Sequence, residues 1–150
     1  MANTYYAVYE HIAFSTKARV AALSDAIRPD LFAYLAGTLK NQGCFPLIIG
    51  GLSEHVHLLI RKRGTLLTSD LVKEIKRSSS IWLKKHGAAC GKFSWQVGYG
   101  AFSVSYWDLE KIRVYIANQE EHHRHMTWEE EYRKLLKKHG VEFDERYFLD

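Results

Sequence analysis

The sequence predicts an α+β fold of the ferredoxin-like (RRM-like) kind, an antiparallel sheet with helices on one face and further helices added at the C-terminus. Three observations lead there. Segments of strand composition and segments of helical periodicity alternate in the order β-α-β-β-α-β-α-α. The two middle strands are separated by only Ser53 and Glu54, which reads as a hairpin inside a split β-α-β arrangement. A length of 150 residues, 47% apolar and 25% charged, suits a single domain over 1–150 with its own core.

Each element has a local reason. Residues 4–16, "TYYAVYEHIAFST", are rich in aromatic and β-branched side chains. Ile12 and Phe14 alternate onto one face of this strand, Tyr9 and His11 onto the other. From Ser24 as N-cap, Pro29 in an early turn and the spacing of Leu31, Leu35 and Leu39 predict a helix that Gly43 stops. "CFPLIIGGLS" and "HVHLLIRKR" follow as the hairpin arms, with Gly50 and Gly51 expected to bulge the first.

A second helix carries Leu71, Val72, Ile75 and Leu83 on one stripe and ends near Gly87. "KFSWQVGYGAFSVS" alternates aromatics but is broken by Gly98 and Gly100, giving a strand or a bent pair of strands. Ser105 with Asp108 reads as a capping box opening one helix through "YWDLEKIRVYIANQEEHH". Thr127 with Glu130 repeats the device for a last helix closed by Gly140.

Lys and Arg number 21 against 17 Asp and Glu, a net charge of +4, which permits a polyanionic partner without requiring one. Cys44 and Cys90 form no C-x-x-C pair and read as buried filler in a reduced compartment. No apolar run is long enough to span a bilayer, and "MANTYYAVYE" lacks the layout of a secretory leader. The expectation is a cytoplasmic protein with no membrane partner.

His55 and His57 are two apart in a strand, so they project from one face about 7 Å apart at the backbone. Two imidazoles so placed can converge on one divalent cation, although a solvated H-x-H pair is the commoner case. Tyr115 and Gln119 are four apart, about one helical turn, and offer a phenol nucleophile and a carbonyl oxygen. A core tyrosine beside an exposed glutamine would show the same spacing.

Together, His55-Val56-His57, "YIANQEEHH" and "FSWQVGYGAFSVS", with "HIAFSTKAR", "LVKEIKRSSSIWLKK" and "MTWEEEYRKLLKKHG", resemble the single-tyrosine (Y1) HUH transposases of small bacterial insertion sequences and the transposases associated with repetitive extragenic palindromes. The likeness spans almost the whole chain. It implies that His55, His57 and Gln119 hold Mg2+ or Mn2+ and that Tyr115 is the catalytic nucleophile. Such enzymes cut single-stranded DNA beside hairpins formed by imperfect palindromes, linking tyrosine to the 5′ phosphate and freeing a 3′ hydroxyl. The setting implied is a bacterial or archaeal cytoplasm.

Two strand ends need two tyrosines, so a homodimer is expected; whether the tyrosine helix serves its own chain or its partner's stays open. Two His and one Gln are uncharged, so firm cation binding is expected to need the DNA's own phosphates.

Arg61, Lys62, Arg63, Lys73, Lys76 and Arg77 are the expected DNA-binding cations, with Trp95, Tyr99 and Phe102 as stacking surfaces or core. His122, His123 and His125 read as complements to a helix dipole rather than a second metal site. Glu54 either orients an imidazole or completes the turn.

A domesticated, non-catalytic single-strand binder would retain the same basic face. A histidine phosphoesterase would want a third alternating histidine where Leu59 stands.

Overall fold

Two dissimilar faces of one sheet organise the chain. In the computed structural model, which describes residues 3–150, β1 (Tyr9–Ser15), β2 (Phe45–Gly51), β3 (His55–Arg61) and β4 (Gly100–Val104) lie in the order β2-β3-β1-β4. Every neighbouring pair is antiparallel. Met1 and Ala2, the start of the stretch read for a leader, lie outside the described residues. The order is that of the split β-α-β arrangement expected from the sequence.

Alternation along β1 and β3 divides the side chains. Ile12 and Phe14 of β1 and Val56, Leu58 and Ile60 of β3 point to one face. There they join Leu31, Leu35 and Leu39 of α1 (Arg28–Asn41) and Leu71, Val72, Ile75 and Leu83 of α2 (Thr68–Lys85). This is the main core. On the opposite face Ala13 and Phe102 meet Trp128, Tyr132, Leu135 and Leu136 of α5 (Trp128–Lys138). Beside them α3 (Leu109–Ala117) and the single turn α4 (Gln119–His122) cover β2. The C-terminal helices therefore form a third layer, and His11, His55 and His57 sit beneath it, at most 1% exposed.

Local details depart from the sequence reading in informative ways. The first strand begins at Tyr9 rather than residue 4. Ser24 Oγ accepts from Ile27 N in a turn that precedes α1 instead of capping it. The hairpin loop is Leu52 to Glu54, and the register shift in β2 falls between Pro46 and Ile48, not at the glycines. Only Gly100–Val104 of the aromatic-glycine stretch is a strand, with one isolated bridge from Trp95 to Thr16.

Ser105 pairs side chain to side chain with Asp108 rather than capping backbone, and a 3-10 turn, Tyr106–Asp108, leads into α3. The long helix expected next stops at Ala117, where Asn118 leaves helical geometry (φ −99°, ψ 26°). Thr127 does cap α5, accepting from Glu130 N at 3.2 Å. Cys44 is buried, but Cys90 is exposed in a tight turn. No helix among the described residues is long and apolar enough to cross a membrane.

Gly50 positions the site without bulging. It pairs with His57, so its missing side chain would point at the α3 layer. A Cβ there would lie 2.7 Å from Ile116 Cγ2 and 2.8 Å from the Ile116 carbonyl oxygen. The bare backbone lets α3 lie directly on β2. Gly50→Ala is expected to lower stability by about 1–3 kcal/mol, as overpacking against backbone does, measured as a drop in urea midpoint at unchanged m-value.

Candidate active site

Strand parity brings the first three side chains together. His55 and His57 alternate onto the α5 side of β3, and His11 of the neighbouring β1 joins them because its strand runs antiparallel alongside. The His11 and His57 rings stack at 5.0 Å, and His11 Nε2 lies 2.8 Å from His57 Nδ1. Trp128, in the first turn of α5, stacks on His55 at 4.5 Å and roofs the pair.

Glu131 is the centre of the cluster. One turn after Trp128, its side chain is 1% exposed, aimed into the sheet. Oε1 accepts from His57 Nε2 at 3.1 Å and His123 Nε2 at 3.0 Å; Oε2 accepts from Gln119 Nε2 at 3.0 Å and from the Tyr115 hydroxyl. Burial alone would raise its pKa, but the hydrogen bonds from His123 and His57 and the nearby imidazoles hold it well below the carboxylate range. The phenol shifts the other way. Burial and then the Glu131 charge push the Tyr115 pKa far up.

The Tyr115 ring lies 5.7 Å from His57 of its own chain. It is only part-buried and opens on a cavity of about 320 Å3. Gln119, 2% exposed, reaches the same cluster from α4, its Oε1 2.7 Å from His55 Nε2. The break at Asn118 therefore does not separate the two side chains that the helical spacing had put together.

The donor set fits a cation. His55, His57 and Glu131 form a buried group whose ligand atoms lie within 4.8 Å of one another, able to hold a metal ion. Glu54 Oε1 takes the His55 Nδ1 hydrogen at 2.6 Å, so the remaining Nε2 lone pair faces the Gln119 oxygen. Two acceptors in contact need a proton or a cation between them. Glu54 thus orients an imidazole, one of its two expected roles. Beside the all-neutral set expected from His55, His57 and Gln119, Glu131 places a negative charge.

Sequence reasoning gave His11 and Glu131 no role in the site and read His123 as a helix-dipole complement. For Glu131 a signal existed: it lies on the apolar stripe of α5 with Trp128, Tyr132 and Leu135, where a carboxylate must have a buried partner. His122 and His123 turn inward as a second cation-capable group sharing Glu131, whereas His125 is exposed.

The six expected DNA-binding cations separate into two kinds. Arg61, Arg63 and Lys73 are exposed and have no salt bridge among the described residues. Lys62 is held by Glu10 at 2.8 Å and Arg77 by Glu74 at 2.7 Å. Lys76 is half-buried, donating to the carbonyls of Gln96 at 2.8 Å and Gly98 at 2.6 Å, and burial brings its pKa down to about 8. Trp95 and Phe102 are core residues, leaving Tyr99 alone of the three with open surface.

Comparison with known proteins follows the same lines. Residues 4–119 match the family model described as "Transposase IS200 like". A protein of Deinococcus radiodurans R1 classed as a transposase, solved at 1.90 Å, superposes with a TM-score of 0.64 at 22% identity, over 79% of this chain and 95% of that one. The structure of a REP-associated tyrosine transposase bound to a REP hairpin gives 0.60 at 19% identity, over 82% of this chain and 74% of that one. At such identities the likeness shows the fold. No curated protein matches the sequence.

Burial, with the charge of His57 second, keeps His11 well below the usual imidazole range, and burial also lowers His57, against the opposing pull of Glu131. The unfolded chain takes up protons near pH 6.5 that these two refuse when folded, so their contribution is whole above that pH and is lost as pH falls. His123 acts in the opposite sense, since Glu131 raises its pKa despite its burial. The melting temperature should fall from pH 7 to pH 5, and His11→Phe should flatten the fall; a profile equally steep in the variant would exclude His11 as its source.

Proposed function

Because this chain belongs to the IS200-like transposase family, we propose that it cuts and rejoins single-stranded DNA next to hairpins through a 5′-phosphotyrosine at Tyr115. One observation carries the reading. The phenol of Tyr115 donates to a buried carboxylate that also belongs to a cation-capable pair of histidines. A nucleophile, a proton acceptor and a Lewis-acid seat thus share one carboxylate.

Each residue has a role in the proposed chemistry. Tyr115 Oη attacks the phosphorus, the P–O3′ bond breaks, and the chain is left joined to the 5′ phosphate. The phenolic proton leaves along the hydrogen bond to Glu131 Oε2 and ends on the departing 3′ oxygen, which becomes the 3′ hydroxyl, so the carboxylate relays the proton and is not left protonated. In the reverse sense the 3′ hydroxyl of a second strand attacks the same phosphorus and the phenol recovers its proton. One phosphodiester is exchanged for another, so no water is consumed.

His55, His57 and Glu131, with the Gln119 oxygen, are the residues to hold Mg2+ or Mn2+. When bound, a cation would supply charge neutralisation at the phosphate and at the departing 3′ oxygen. The mixed imidazole and carboxylate set suits Mn2+ at least as well as Mg2+. A cation held there would offset the Glu131 charge, which after burial is a cause of the raised Tyr115 pKa.

His57 needs the right tautomer for this. To ligate, Nε2 would give up the hydrogen it donates to Glu131; the hydrogen then sits on Nδ1 and is donated to His11 Nε2, which neutral His11 can accept. A hairpin's phosphates fit the exposed cations Arg61, Arg63 and Lys73, with Lys62 and Lys76 bracing the same surfaces from within and Arg77 paired to Glu74 beside them. Two copies acting together would provide the two tyrosines a transposition needs, each beside its own chain's histidines.

A 5′-labelled hairpin oligonucleotide with a single-stranded flank, incubated with Mn2+, should yield a covalent adduct on a denaturing gel. Tyr115→Phe and chelator should each abolish it. Retained DNA affinity with no adduct from the wild-type protein would mark a non-catalytic binder instead.

Glu131→Gln should weaken Mn2+ binding by about 10-fold or more, read by calorimetry. His11→Phe should do so by about 10- to 100-fold, the usual range for a partner that orients a ligand. Unchanged affinity in Glu131→Gln would remove the carboxylate from the ligand set.

A further inference from the structure

The cavity beside Tyr115 is not used by the bond-exchange chemistry itself. It runs from Tyr115 and Glu131 outward between α3 and α5, with a volume of about 320 Å3. Val104 and Ile112 line one side and Leu135 another, so its walls are largely apolar. Three exposed lysines, Lys111 of α3 and Lys134 and Lys138 of α5, also line it, and none has a salt bridge among the described residues. Asp108 is the acid among its outer residues, and it already accepts from Ser105. Just outside, the turn before α3 leaves Trp107 88% and Tyr106 66% exposed.

We propose that this cavity is a nucleotide subsite: it takes the nucleoside next to the scissile phosphate, base between the apolar walls, neighbouring phosphates on Lys111, Lys134 and Lys138. The inference rests on the transposase reading above and adds a substrate contact that the metal cluster and the Arg61 to Arg63 surface do not supply. Three arguments favour this occupant. The volume is at the small end of ligand pockets, about 300–1,000 Å3, which suits one base and sugar and not a duplex. Flat apolar walls match a base's faces, while unpaired ammonium groups match the phosphates on either side. The inner end is the nucleophile's own hydroxyl, so a strand lying here brings a phosphate to Tyr115 without further movement. Trp107 offers the following base a stacking surface.

The test uses the full chain with fluorescein-labelled dA12, dC12 and dT12 in Mn2+, read by anisotropy across a salt series. Lys134→Gln/Lys138→Gln should raise Kd at least 5-fold and lower the salt slope by about 1 to 2, one per lost phosphate contact. Ile112→Trp, which fills the cavity, should raise Kd similarly without altering the slope; circular dichroism establishes that each variant is folded. Unchanged Kd in the folded lysine variant, while the wild type still forms its Tyr115 adduct, overturns the subsite and leaves the transposase reading standing. Failure of the wild type both to bind these strands and to form an adduct overturns both.

Discussion

A carboxylate sealed from water must be surrounded by donors, and the donors around Glu131 come from almost every part of the chain that matters. His57 reaches it from β3, Tyr115 from α3, Gln119 from α4 and His123 from the loop after α4. Breaking any one of these leaves a buried charge less well compensated, so the cost ties the C-terminal helices to the sheet more firmly than their modest apolar contact would. The fold and the candidate chemistry therefore share a single anchor. That is also why Tyr115 sits against His57 of its own chain.

The sheet makes this possible by being different on its two sides. The face under α1 and α2 is filled with aliphatic side chains and is closed. The other face alternates small residues with imidazoles: Ala13 and Gly50 leave room, His11, His55 and His57 fill part of it, and α3 comes close enough to bring Tyr115 down. Imidazoles held by Glu54 and His11 on their outer nitrogens turn their inner nitrogens to a common point. The result is a site held by the rigid part of the structure on one side and by a carboxylate-bearing helix on the other.

Positive charge is spread by a similar logic. Lys62 and Lys76 are spent on internal partners and Arg77 on Glu74 at the surface of its own helix, the last two lining the groove along α2. Among the cations without a salt bridge in the described residues, Arg61 and Arg63 lie at the end of the sheet, Lys73 on α2, and Lys111, Lys134 and Lys138 at the mouth of the Tyr115 cavity. On the proposed function, the first would hold DNA and the last would lead a strand to Tyr115.

The order of strands and helices, the inward pairing of His55 with His57 and the one-turn spacing of Tyr115 and Gln119 were legible in the sequence, because parity and helical period are local geometry. Glu131 was hidden in an acidic run, though its place on the apolar stripe of α5 marked it. His11 required knowing that β1 lies against β3, and Gly50 required knowing which helix crosses it. The interruption at Asn118 and the diversion of Lys62 and Lys76 into internal bonds also depend on what surrounds those residues. Local period determines which side chains share a face; only the packing of distant segments decides what each face meets, and it was that packing which placed a buried carboxylate between the imidazoles and the phenol.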